Sequence, residues 1–109
     1  MKTIEQTIFS LILHSGDAKS SCMEAIMYAK AGEFTTAEEL IEKAGLELNK
    51  AHKIQTALIQ DETRGESTDI TMLLIHAQDH LMNAMTARDF SKEIIDLHKR
   101  LADRLEGRE

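Results

Sequence analysis

Along the first third of the chain, Ile4, Ile8, Leu11, Ser15, Ala18, Cys22, Ala25 and Ala29 recur at spacings of three and four, and the stripe keeps its phase through the segment SGDAKS. Such spacing places all eight side chains on one helical face, which predicts a single long helix over about residues 3–31. Gly16 lies inside it. A glycine there costs roughly 1 kcal/mol relative to alanine, and the favoured reading is a tolerated weak point or slight bend. The alternative is a place where another backbone or a ligand comes close. Gly32 followed by Glu33 ends the helix, because glycine supplies the left-handed conformation that a helix C-terminus often needs.

A second helix is expected over about residues 35–62. Thr35 with Glu38, or Thr36 with Glu39, fits a capping box, in which hydroxyl and carboxylate satisfy orphan amide groups. Ala37, Ile41, Ala44, Leu48, Ala51, Gln55 and Leu58 form its inward stripe, widened by Leu40 and Ile59. The many alanines let neighbouring helices approach closely. Gln55 occupies a position where leucine would be expected, so something polar should face it.

The segment DETRGEST, residues 61–68, has turn residues and charge but no apolar period, and reads as a loop. Thr68 or Asp69 then caps a third helix over about residues 69–105. Its opening is unusual. At 100° per residue, Met72, Leu73, Leu74 and Ile75 point in four directions, so this part is apolar all round and is expected to be buried on every side. Immediately after it, His76, Asp79, His80 and Asn83 fall along one narrow stripe.

Three helices of about 30 residues, each about 45 Å long and joined by short connections, can only run up, down and up. One domain over residues 1–109 is expected. Three helices leave a flank of each exposed, and the third has no polar flank near Leu73, so the leftover apolar surface predicts self-association.

Composition agrees with an all-α fold: the chain has no proline, five glycines, and neither valine nor tryptophan. The formal charge of −6, without any run of lysine or arginine, argues against a nucleic-acid partner. The lone cysteine, Cys22, excludes an internal disulfide and reads as a small core residue in a reducing compartment. No apolar run approaches 18 residues and no signal-sequence pattern opens the chain, so a cytoplasmic protein without membrane insertion is expected.

Chemistry concentrates on the stripe of the third helix. His76 and His80, one turn apart, could both reach one metal ion, with Asp79 as a further donor. A zinc peptidase is excluded, because the position after the first histidine is Ala77 rather than the glutamate general base. Neither a nucleophile elbow nor a phosphate-cradling loop is present. What remains is chemistry that one imidazole can do alone: a neutral imidazole is a nucleophile that can accept a phosphoryl group and release it again. Positioning and a few hydrogen bonds supply most of the catalysis of such a transfer. A non-catalytic helical module holding a structural metal is the competing reading.

The run LLIHAQDHLM, together with SGDAKS in the first helix and AHKIQT in the second, resembles the lactose and cellobiose/chitobiose class of enzyme IIA in the bacterial sugar phosphotransferase system. The resemblance spans about Ile4 to Leu105. It implies a subunit of three long helices and a homotrimer forming a nine-helix bundle. It further implies that His76 carries the phosphoryl group on Nε2, receiving it from the phosphocarrier protein HPr and passing it to a cysteine of a cognate IIB. IIB would then phosphorylate a β-linked disaccharide as the membrane component IIC imports it, so IIA itself never touches sugar. Asp79 would point to the trimer axis, where three copies bind a divalent cation such as Mg2+.

His80 and Gln55 are supporting candidates, and Gln78 a weaker one, since on the wheel it points about 160° from His76. Asp79 reads as a buried carboxylate whose alternative partner is a lysine from another helix. His14, His52 and His98 read as boundary or surface residues. Lys19 stands where relatives often have arginine, which keeps the charge and loses the bidentate fork. HAQDH rather than HGQDH points to the cellobiose or chitobiose branch over the lactose branch.

Overall fold

The computed structural model describes residues 3–107. They form three helices, α1 (Ile4–Lys30), α2 (Phe34–Thr63) and α3 (Met72–Leu105), in a rod of 60 × 21 × 21 Å. No strand occurs among the described residues. The chain runs up, down and up. The start of α1 (Ile4, Thr7) lines one groove with the end of α2 (Leu58, Asp61), and another with the start of α3 (Thr71, Leu73).

The α1 stripe is inward as its spacing requires: Ile8, Leu11, Ser15, Ala18, Cys22, Ala25 and Ala29 are buried, and only Ile4 at the tip is exposed. α1 is the central element, packed more extensively against α2 and α3 than they are against each other. Alanine makes these close approaches possible. Ala18, Ala44, Ala51, Ala77 and Ala84 are fully buried around Leu11 and Leu81, so backbones meet across single methyl groups. A second cluster, Ala25, Ala29, Ala37 and Ile95, closes the far end. Cys22 is a core residue hydrogen-bonded to Ser91, and burial pushes its thiol above the usual range.

The ends of the helices differ from expectation in informative ways. α1 does carry a capping box, but it is Thr3 with Gln6: the Gln6 N–H donates to Thr3 Oγ1 (3.2 Å) and the Thr3 N–H to Gln6 Oε1 (2.9 Å). α2 begins at Phe34, with Glu33 at the N-cap and no side-chain cap, so neither Thr35 nor Thr36 plays that role. Thr35 and Thr36 lie within the helix because the turn at Gly32 is short enough to start α2 before either can flank it. Both α1 and α2 end in paired bonds around a left-handed glycine. Glu33 N–H reaches Tyr28 C=O (2.9 Å) past Gly32, and Glu66 N–H reaches Asp61 C=O (2.8 Å) past Gly65, each glycine having φ of 81°. α3 starts at Met72, three residues later than expected. Its N-cap is Thr71, whose Oγ1 accepts from the Leu74 N–H (3.1 Å), and not Thr68 or Asp69.

Gly16 interrupts nothing. α1 is continuous through it, and a Cβ built there would meet no atom within 4 Å. The close-approach alternative therefore finds no support within the chain. Gly16→Ala should raise stability by about 0.5–1 kcal/mol through lower unfolded-state entropy and better helix propensity, measurable as a higher urea midpoint with unchanged slope.

Lys99 with Glu38, and His14 with Glu47, tie helices together. Lys99 Nζ on α3 donates to Glu38 Oε1 on α2 (2.7 Å), at the exposed far end. His14 Nδ1 on α1 meets Glu47 Oε2 on α2 (2.6 Å) on a partly buried surface, with Lys50 on the other carboxylate oxygen (3.3 Å). The His14 bond, followed by Lys50, holds the Glu47 carboxyl below its ordinary value of 4.5. A depressed folded pKa means that its stabilisation is present above that value and lost as pH falls through the folded one. Acidification below about pH 4.5 should thus weaken the α1–α2 junction in the native chain, and less so in Glu47→Gln, as read from urea midpoints at pH 6 and in the acid range.

Candidate functional site

Only one face of α3 can be buried by α1 and α2, and it is the face of Ala77, Leu81, Ala84, Ser91 and Ile95. The stripe of His76, Asp79 and Asn83 falls on the opposite side and is exposed, with His80 half-buried at its edge. The expectation that the opening of α3 is buried on every side fails for the single chain. Leu73 and Leu74 are half-buried, but Met72 is 86% exposed and Ile75 59%. Two neighbouring helices cannot surround a third, so part of an all-round apolar segment is left outside. Asp79, expected to be buried, is likewise exposed, and its partner is Asn83 rather than a lysine: Asn83 Nδ2 donates to Asp79 Oδ2 at 3.3 Å.

His76 and His80 face each other. Their Nε2 atoms are 3.1 Å apart, with ring centroids at 4.5 Å and planes at 89°. The i, i+4 spacing of a regular helix creates this meeting, since both side chains lie over the same strip of surface. A hydrogen bond between two such nitrogens requires one to carry the proton and the other to offer its lone pair.

Gln55 and Gln78 also meet, though not at His76. Gln55 Nε2 on α2 donates to Gln78 Oε1 on α3 at 2.7 Å, across a half-buried junction. The polar group that faces Gln55 within the chain is therefore Gln78. Residues so far apart in sequence give no local signal of pairing. Gln78 also lines a small groove of about 90 Å3 with Leu58, Ile59, Ile70 and Leu74. The larger grooves, about 550 and 460 Å3, lie at the start of α1 and include none of the stripe residues. His52 and Lys19 are exposed, and His98 is half-buried.

A metal finds no complete site within one chain. The described residues contain no group of three His, Cys, Asp or Glu able to hold an ion, so the two imidazoles lack a third protein donor. Asp79 supplies the oxygen chemistry that a hard divalent cation prefers, but one carboxylate is one ligand of the six that magnesium needs.

An imidazole pair on the outer face of a bundle of three long helices, away from its larger grooves, defines a helical surface site. The family model for the lactose/cellobiose-specific IIA subunit of the phosphotransferase system matches residues 6–99, and the chain belongs to that family. It is 51% identical over 100 residues to the lichenan-specific phosphotransferase enzyme IIA component of Bacillus subtilis (strain 168), covering 92% of this chain and 91% of that protein. The crystal structure of the cellobiose-specific enzyme IIA from Bacillus anthracis superposes with a TM-score of 0.90 at 54% identity, over 94% of each chain. The solution structure of the chitobiose IIA in complex with HPr, from Escherichia coli, has a TM-score of 0.82 at 35% identity, over 94% of this chain and 99% of that one. The protein is thus a phosphotransfer component of a sugar-specific enzyme II. No helix among the described residues is long and apolar enough to cross a membrane.

Proposed function

We propose that the chain is a phosphohistidine carrier that works on His76. Its Nε2 lone pair attacks the phosphorus of phospho-HPr, the N–P bond of the donor breaks, and the phosphoryl group then leaves His76 for the thiolate of a cysteine in a cognate IIB. A β-linked disaccharide entering through IIC is the final acceptor, with cellobiose or chitobiose favoured over lactose by the HAQDH motif. The observation that carries this reading is the exposed imidazole of His76 on a rigid helix within HAQDHLM, in a chain whose relative was solved bound to HPr. An exposed nitrogen on an unmoving helix is what a passing protein donor can reach in line. His80 supports the site from one turn away. Gln55 and Gln78 support it by bracing α2 against α3.

The assembly proposed is a homotrimer in the cytoplasm. Exposed apolar residues run the whole length of α3: Met72, Ile75, Met82, Phe90, Ile94 and Leu97. A monomer leaving so long a strip wet would be prone to associate, and packing three copies of α3 together would cover it. Asp79 then comes to the shared axis, where a bound divalent cation, Mg2+ by its ligand chemistry, would neutralise the converging carboxylates.

Incubation with phosphoenolpyruvate, enzyme I and HPr should add one acid-labile phosphate per chain, mapped to His76 by mass spectrometry. Metal-dependent assembly without any phosphate uptake would instead support the structural-metal reading.

A further inference from the structure

We infer that His80 caps the reactive nitrogen of His76 in the unloaded protein and must swing away before a phosphoryl group can be accepted. The inference rests on the phosphocarrier reading and goes beyond it by giving His80 a two-position role. With Nε2 of each ring 3.1 Å apart, a single proton lies between them, and both ways of placing it block the same atom. If His80 donates, the Nε2 lone pair of His76 is occupied. If His76 donates, its Nε2 carries hydrogen and has no lone pair to offer in that tautomer. In either case attack through Nε2 cannot start while the contact stands.

Geometry makes the two states exclusive. A phosphoryl group bonded to Nε2 uses up the lone pair of that nitrogen and fills the space beside it, where His80 Nε2 now sits at 3.1 Å. The loaded ring and the observed contact therefore cannot coexist. His80 is half-buried at the edge of the stripe while His76 is exposed, so His76 is the ring presented to a partner. His80 is in this sense a positioning residue. It fixes the rotamer of His76, protects the nucleophile from adventitious electrophiles, and yields to a donor that approaches in line.

The test uses diethyl pyrocarbonate, a small electrophile that modifies unprotonated imidazole nitrogen, on the intact protein, with the adduct at each histidine counted by mass spectrometry. His80→Ala should raise the modification rate at His76 by roughly two- to tenfold, the size of one net hydrogen bond. His80→Gln, whose amide can still donate to Nε2, should stay near the native rate. Exposed His52 serves as an internal control and should react equally in all three. An unchanged rate at His76 in His80→Ala overturns the cap. So does a phosphoryl group found on Nδ1 rather than Nε2 of the loaded protein, which would leave His76 confirmed as the carrier while showing that the contact need not open. Absence of any label at position 76 would remove the phosphocarrier reading itself.

Discussion

A His76→Ala protein will fold and take up no phosphate from phospho-HPr. His76 is exposed and lies outside the buried core, and alanine is a better helix former than histidine, so circular dichroism and thermal midpoint should match the native chain within error. Function depends on something else: the attacking atom is gone. Removing a nucleophile leaves only the binding and positioning part of catalysis, and the transfer rate should fall by about three orders of magnitude or more. His80 is the one nearby group that could substitute. It stands half-buried at the edge of the stripe, where an in-line donor reaching the exposed position would not find it. Label appearing on His80 in the variant at an appreciable rate would show that the two imidazoles are interchangeable, and would reassign the carrier role to the pair. The measurement is the rate of acid-labile phosphate incorporation, with the site mapped by mass spectrometry.

The part of this structure that could be read in the sequence is the part governed by helical periodicity. α1 is the clearest case, because seven positions of its stripe, Ile8 to Ala29, are buried, and Ser21 is the one further buried residue of that helix. A period reports a face, and a face needs only neighbours. Termini follow different physics, in which a single hydroxyl or a left-handed glycine competes with alternatives a few residues away. Thr71, itself extended, is the residue next to the first helical turn at Met72, and nothing in the local composition distinguishes it from Thr68 and Asp69. Gly65 could have been found, since it sits in the same position relative to α2 as Gly32 does to α1.

The site itself was legible for the same reason and misread for a related one. Spacing of four brings His76 to His80 and Asn83 to Asp79, and both contacts are present. Yet periodicity does not say which side of a polar stripe faces the bundle. The apolar residues flanking the stripe suggested burial, whereas the three-helix rod places Ala77 and Leu81 inside and leaves the stripe with Ile75 and Met82 outside. An apolar surface that one chain leaves wet is information about the assembly rather than about the fold. Gln55 with Gln78 belongs to a third kind, a tertiary hydrogen bond between distant positions that no local pattern encodes.

Asp79→Leu should loosen the dependence of the assembly on divalent cation while leaving the trimer intact. Met72, Ile75, Asp79, Met82 and Thr86 follow one another at spacings of three and four on the outer side of α3, so the carboxylate occupies a seam position otherwise mostly apolar. Three copies meeting there would bring three negative charges together. Two carboxylates about 5 Å apart repel by about 3 kcal/mol at an effective dielectric near 20, and a trimer contains each pairing once. A cation between them offsets that repulsion, and stripping it should restore the full cost. Wild-type protein treated with a chelator should therefore lose trimer mass in sedimentation equilibrium at micromolar concentration and recover it with Mg2+. In the leucine variant a side chain of similar size packs with Ile75 and Met82, no charge needs neutralising, and the gain should be about 1–4 kcal/mol per assembly. Its mass should stay trimeric with or without chelator, at a higher thermal midpoint, and His76 should still accept phosphate. A leucine variant that sediments as a monomer, or a native protein whose mass ignores the chelator, would mean that Asp79 does not meet its copies at an axis, and α3 would then associate through its distal apolar residues alone.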